Sequence, residues 1–202
     1  GLLMAEENIM EARQTEENLS EILQIRREKL KKLQDEGRDP FLITKYEFNA
    51  YSTDIKENFE TMENQTVSLA GRIMSKRDMG KAFFCDLQDS KGRIQLYITV
   101  NDLGESQYAD FKKWDIGDII GVEGTVFRTR RGEISVHVKS VVLLAKSLQP
   151  LPEKFHGLTN QELRYRQRYV DLIVNPEVKR NFVIRSKFIK FVRDYLDKRG
   201  YI

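Results

Sequence analysis
Five runs of alternating apolar residues predict a mainly β fold with flanking helices, centred on a five-stranded barrel. The runs lie at residues 67–74, 83–87, 94–100, 119–127 and 134–144, with turn signals between them. A helical stretch at 105–114 interrupts the series after the third run. This strand-strand-strand-helix-strand-strand order is that of an OB-fold. Barrels of that kind hold extended single-stranded nucleic acid on the face of strands two and three. The distribution of charge agrees. Residues 1–64 carry 9 Lys/Arg against 15 Asp/Glu, residues 65–150 carry 13 against 10, and residues 151–202 carry 12 against 6. Basic character grows along the chain, as a phosphate contact favours.

In chain order, residues 1–17 are polar and acidic without a clear period, and are expected to be a poorly ordered tail. Residues 18–64 read as a helical extension. Leu19, Ile22, Leu23, Leu30 and Leu33 fall at helical spacing, interleaved with Arg26, Arg27, Lys29, Lys31 and Lys32. The leucines suit docking on a neighbour, and the basic face suits a phosphate backbone. Gly37 is the predicted stop, with Pro40 just beyond. A short helix is predicted at 53–63. The barrel domain occupies 65–148, with hairpin turns at Asp89-Ser90-Lys91-Gly92 and Thr129-Arg130-Arg131-Gly132. Tyr108, Phe111 and Trp114 give the inserted helix an apolar side that can close the barrel end. Pro150 and Pro152 mark a boundary, and 149–202 opens a further unit with one element at 160–174 and one long helix at 180–199. Phe188, Ile189, Phe191, Val192 and Tyr195, with Leu196, make that last helix apolar over a wide arc. Such width suits burial on two sides or a subunit interface.

With 40% apolar content the chain can build a core, and with 32% charged residues much of its surface must be charged. The single cysteine, Cys85, excludes an internal disulfide and a thiol-built zinc site, and suits a reducing cytoplasm. No apolar run reaches the roughly 20 residues of a membrane span. No phosphate-cradling glycine loop appears, and His137 and His156 stand isolated. Asp115 and Asp118 pair without a cleft around them. No catalytic residue, metal ligand or cofactor site is therefore assigned.

The binding residues follow from period-two alternation. Phe83, Cys85 and Leu87 share one face of strand two, which turns Phe84 outward, where a base can stack on it for roughly 1–3 kcal/mol. Ile94, Leu96 and Ile98 face inward on strand three, which turns Gln95 and Tyr97 outward. The Gln95 amide offers a donor and an acceptor to the edge of an unpaired base. Lys76, Arg77 and Lys81 flank the entry to strand two, and Arg128, Arg130 and Arg131 stand at the other hairpin, all placed to hold phosphates. Glu133 follows that hairpin and can accept hydrogen bonds from a base edge.

Several strings in the chain resemble the bacterial type of class II lysyl-tRNA synthetase. In the barrel these are Leu69-Ala70-Gly71-Arg72-Ile73-Met74, Met79-Gly80-Lys81-Ala82-Phe83-Phe84, Gly92-Arg93-Ile94-Gln95-Leu96-Tyr97 and Lys112-Lys113-Trp114-Asp115-Ile116-Gly117-Asp118. Beyond it are Pro150-Leu151-Pro152-Glu153-Lys154-Phe155-His156-Gly157-Leu158 and Arg164-Tyr165-Arg166-Gln167-Arg168-Tyr169-Val170-Asp171-Leu172. The barrel strings alone also fit the aspartyl and asparaginyl relatives, or a stand-alone module for single strands; the last two favour the lysine family. The resemblance implies an N-terminal barrel that grips the anticodon stem-loop of lysine tRNA. It implies stacking of the central uracil on Phe84, a hydrogen bond from Gln95, and further anticodon contacts by Arg77 and Glu133. Arg26 and Arg27 fall on a helix near the anticodon stem, and residues 180–202 on the motif that builds the family's homodimer. The motifs for ATP, Mg2+ and lysine are absent from these residues. The chain thus resembles a barrel followed by the first helices of a truncated class II α+β catalytic domain. By itself it is expected to attach no lysine.

Overall fold
The computed structural model describes residues 2–152, 158 and 160–201, with side chains from Glu17 onward. Residues 153–157, and with them His156, lie outside the described residues. The chain divides into two compact units, Gly1–Pro150 and Leu151–Ile202.

Helix α1 spans Leu2–Asp35. The backbone is helical from Leu2, ahead of residue 18, at which the helical extension is expected to begin. Glu, Ala, Met, Leu, Gln and Arg dominate that stretch, and all are good helix formers. A helix nucleated further along extends through such residues without needing an amphipathic period. The predicted stop holds. Gly37 takes φ +70°, its N–H donates to the Gln34 carbonyl at 3.0 Å, and the Arg38 N–H donates to Leu33 at 2.8 Å. That bond pair closes a helix with a left-handed residue. The helix predicted at 53–63 is instead two, α2 (Ser52–Glu57) and α3 (Phe59–Met62). At the break the Asn58 side chain donates to the Asp54 carbonyl at 2.9 Å, alongside the Asn58 backbone N–H. Ile55 and Phe59 still turn inward to the same core.

The five strands are β1 (Thr66–Asp78), β2 (Ala82–Gln88), β3 (Arg93–Thr99), β4 (Ile119–Arg128) and β5 (Ile134–Ala145). They close into a barrel in the order β1-β2-β3-β5-β4, with β3–β5 parallel and the other pairs antiparallel. Closure gives each strand a partner on both sides, the β3–β5 seam being the shortest, over Gln95–Tyr97. β1 outlasts its apolar run by four residues. Its first half pairs with β4 and its second with β2, and a register shift between Ile73 and Ser75 lets it bend from one partner to the other. This bend carries Arg77 alongside β2.

The inward residues named above, Phe83, Cys85, Leu87, Ile94, Leu96 and Ile98, are all buried. Between β3 and β4 lie α4 (Val100–Leu103) and α5 (Glu105–Lys113). Tyr108, Phe111 and Trp114 close the barrel end as predicted. The Phe111 ring stands edge-on to Phe83 and to Trp114, at 5.4 and 5.6 Å.

The second unit holds α6 (Gln161–Arg166), α7 (Arg168–Val174) and α8 (Pro176–Asp197). The single element predicted at 160–174 breaks at Gln167. Asp171 is fully buried there and accepts hydrogen bonds from Arg164, Arg168 and Asn175. The long helix begins four residues before the prediction, because Pro176 at its first position presets the helical φ. Gly200, with φ +79°, follows its end as predicted.

Candidate nucleic-acid interface
Strand register lines up one row across the outer face of the barrel. Arg77 on β1 pairs with Phe84 on β2, Phe84 with Tyr97 on β3, and Tyr97 with His137 on β5. The rings follow the backbone. Phe84 and Tyr97 lie 5.1 Å apart by centroid, and Tyr97 and His137 5.2 Å. Phe127 on β4 joins from the side, 6.1 Å from Tyr97 and 5.7 Å from His137. The Arg77 guanidinium sits 5.8 Å from the centre of the Phe84 ring. Phe84 is half-buried, held by neighbours yet open to a ligand. A row of π-faces on a barrel surface is a stacking platform for unpaired bases.

A second row supplies polar groups. Asp86 pairs with Gln95, and Gln95 with Ser135 on β5. The Ser135 hydroxyl donates to Gln95 Oε1 at 3.0 Å. A cleft of about 610 Å3 opens over Phe84, Tyr97 and Phe127 and reaches Gln95 of the second row. Arg77, Phe84, Gln95, Arg130, Arg131 and Glu133 all line it. The structure thus brings six of the predicted site residues to one place, and sets three guanidinium groups against one carboxylate. That excess attracts phosphate.

Two predicted phosphate ligands are corrected. Arg26 is buried at 8% exposure, and its guanidinium donates to the carbonyls of Ser147 (2.9 Å), Gln149 (3.3 Å) and Ile116 (3.2 Å). It anchors α1 to the barrel, and helical spacing alone could not distinguish that inward position from its basic neighbours. The Lys76 ammonium donates to the carbonyls of Phe111, Lys112 (3.1 Å) and Trp114 (3.0 Å) and so caps α5. Burial pushes its pKa down to about 8. Alternation sets Lys76 and Arg77 on opposite faces, and the register after the shift in β1 pairs Lys76 with inward Cys85 and Arg77 with outward Phe84. Arg27 and Lys81 are exposed and do not line the cleft.

Sequence reasoning missed the parts of the platform contributed by Tyr97, Phe127, Ser135 and His137. Tyr97 was already placed outward, and burial of Val122 and Val126 turns Phe127 outward by the same alternation. Ser135 and His137 reach the site only through the parallel β3–β5 pairing, which no local pattern announces. His137 Nε2 also lies 2.6 Å from the Asp102 carboxylate. Burial pushes the Asp102 carboxyl up, but hydrogen bonds from Lys139, Thr99 and His137 outweigh it and hold the pKa at about 2.

Asp115 and Asp118 belong to a joint beneath α1. The buried Lys146 ammonium donates to Asp118 at 2.8 and 3.0 Å and also to Asp115, which Lys29 meets at 2.7 Å. Hydrogen bonds from Lys146 and Lys29 outweigh burial and hold Asp115 below the usual carboxylate range. On α8, Phe188, Ile189, Phe191, Val192 and Tyr195 are exposed. Among the described residues, no group of three or more His, Cys, Asp or Glu side chains is gathered that could hold a metal ion, and no helix is long and apolar enough to cross a membrane.

Residues 67–144 match the family model of the OB-fold nucleic acid binding domain, and residues 160–202 that of class II (D, K and N) tRNA synthetases. The chain is 51% identical over 197 residues to a lysine–tRNA ligase of Clostridium tetani, covering 98% of the chain and 39% of that relative. It is 54% identical over 189 residues to the lysine–tRNA ligase of Syntrophomonas wolfei, covering 94% and 38%. The figures for the lysine–tRNA ligase of Thermoanaerobacter pseudethanolicus are 54% over 186 residues, covering 92% and 37%. The chain spans about two fifths of the length of these curated relatives. An anticodon-type OB barrel joined to class II sequence, and identity above one half along nearly the whole chain, place it in the class II lysyl-tRNA synthetase family.

Proposed function
We propose that the barrel binds the anticodon stem-loop of lysine tRNA, with the central uracil stacked on Phe84 and its edge hydrogen-bonded by Gln95. The observation that carries this is the meeting of an open aromatic face, an amide and three arginines in one cleft. In this reading Arg77, Arg130 and Arg131 hold the phosphates of the loop. Arg27 and Lys81 add a weaker, more distant attraction. Glu133 accepts from a base edge, and its 3.4 Å contact with Lys56 is exposed enough to exchange for such a bond.

The complete protein attaches lysine to its tRNA with ATP and Mg2+, in the cytoplasm, as a homodimer. The apolar face of α8 is the part of this chain that meets the second copy. Among the described residues no group of three or more His, Cys, Asp or Glu side chains is gathered that could hold Mg2+, and no step through ATP or Mg2+ is assigned to them.

Anisotropy at fixed salt tests the reading, using a labelled lysine-tRNA anticodon stem-loop and the same loop with its central uracil changed to cytosine. A loss of about tenfold on that change supports base-specific recognition. Equal binding would leave a sequence-tolerant module for single strands and overturn it.

A further inference from the structure
We propose that Ser135 is the positioning residue that makes the Gln95 amide select uracil over cytosine. The inference rests on the anticodon reading above and goes beyond it, to the source of the selectivity.

An amide side chain has two ends of nearly equal shape and opposite hydrogen-bonding sense. Turned one way, Gln95 presents a donor and then an acceptor; flipped, it presents the reverse. Uracil offers its O4 acceptor beside the N3–H donor. Cytosine offers its N4 amino donor beside the N3 acceptor. One amide orientation fits uracil, the other fits cytosine, and sterics alone do not separate them. Selectivity therefore requires something that fixes the amide.

Ser135 is placed to do so. It is fully buried and stands beside Gln95 in the parallel β3–β5 pairing. Its hydroxyl donates to Gln95 Oε1 at 3.0 Å. This turns the NH2 end away from Ser135 and leaves the second Oε1 lone pair open. With the base placed as the anticodon reading places it, the open Oε1 lone pair accepts from the uracil N3–H and the NH2 end donates to O4. The flipped amide would have to donate to Ser135 Oγ. That would send the serine proton to the Glu133 carbonyl, which lies farther off at 3.4 Å. The shorter bond favours the uracil-reading state. Ser135 is too deep to touch a base itself, so it acts through Gln95.

The test measures anisotropy of the 202-residue chain with the uracil and cytosine stem-loops at fixed salt, for the parent, Ser135→Ala, Ser135→Thr and Gln95→Ala. The parent prefers uracil by about tenfold. In Ser135→Ala both amide orientations are populated. The uracil-competent fraction is halved, so uracil affinity falls only about twofold. Cytosine affinity rises, and the ratio closes to within about threefold. Ser135→Thr keeps the hydroxyl and the parental ratio, and Gln95→Ala weakens uracil binding. A Ser135→Ala variant with the parental ratio overturns this proposal and leaves the anticodon reading standing. Equal loss for both loops at an intact ratio assigns Ser135 a purely structural role and overturns it too. A parent without preference overturns the anticodon reading and this inference together.

Discussion
Phe84→Ala removes the ring on which the account places a base. The ring lies between Tyr97 at 5.1 Å and the Arg77 guanidinium at 5.8 Å. Losing a base–aromatic stack costs roughly 1–3 kcal/mol, or about five- to 150-fold in Kd. The folding cost is smaller. The ring is only half-buried, and an aromatic pair contributes about 0.5–1.5 kcal/mol against a domain stability of about 5–15 kcal/mol. The variant therefore stays folded. Its phosphate contacts through Arg77, Arg130 and Arg131 remain, so the dependence of binding on salt should keep its slope, about −0.7 per neutralised phosphate on a single strand. Phe84→Leu restores apolar bulk without a π-face and should stay weak. The assay is stem-loop anisotropy across a salt series, with circular dichroism confirming the fold. Parental affinity at a parental slope would refute the stacking argument. A changed slope with intact affinity at low salt would mean that Phe84 acts only by holding Arg77.

Arg26→Ala and Arg27→Ala should separate two roles that sit side by side in sequence. Arg26→Ala removes the donor that three carbonyls share, of which Gln149 keeps the Ser147 hydroxyl, and should cost about 1–3 kcal/mol of stability, read as a lower midpoint in urea. Arg27→Ala should leave that midpoint unchanged and reduce the salt slope by less than one phosphate. Asp102 contributes stability above its unfolded pKa, because its folded pKa is depressed to about 2. Stability should therefore fall as pH drops from about 4 to about 2, and Asp102→Asn should flatten that part of a urea-midpoint profile. Phe188→Asp with Phe191→Asp, introduced into the complete protein, should shift a dimer to monomer in sedimentation velocity, since both side chains are exposed on α8; a dimer retained in the variant would remove α8 from the interface.

The barrel was legible because its inward residues alternate without interruption, and because period two leaves no choice about where Phe84 and Gln95 point. Turn chemistry placed the hairpins for the same local reason. The ends of elements were less legible. β1 runs on to Asp78 because it changes partner at the shift after Ile73, and tertiary pairing sustains a strand past the point where apolar residues stop. Arg26 and Lys76 were misread because positive charge suggests phosphate, and nothing local reveals three backbone carbonyls waiting for a donor. Ser135 and His137 were invisible as site residues because a parallel pairing some forty residues away in sequence delivers them to Gln95 and Tyr97. Distant register decides half of this site, and sequence pattern decides the other half.

The central claim is that the face of β2 and β3 meets the anticodon loop. Backbone amide chemical shifts of the 15N-labelled chain, followed during titration with the lysine-tRNA anticodon stem-loop, test it most directly. The largest changes should fall on Arg77, Phe84, Gln95, Tyr97 and Ser135, with small changes along α1 and none confined to α8. Changes concentrated on α1 or α8, with Phe84 and Gln95 unmoved, would contradict it.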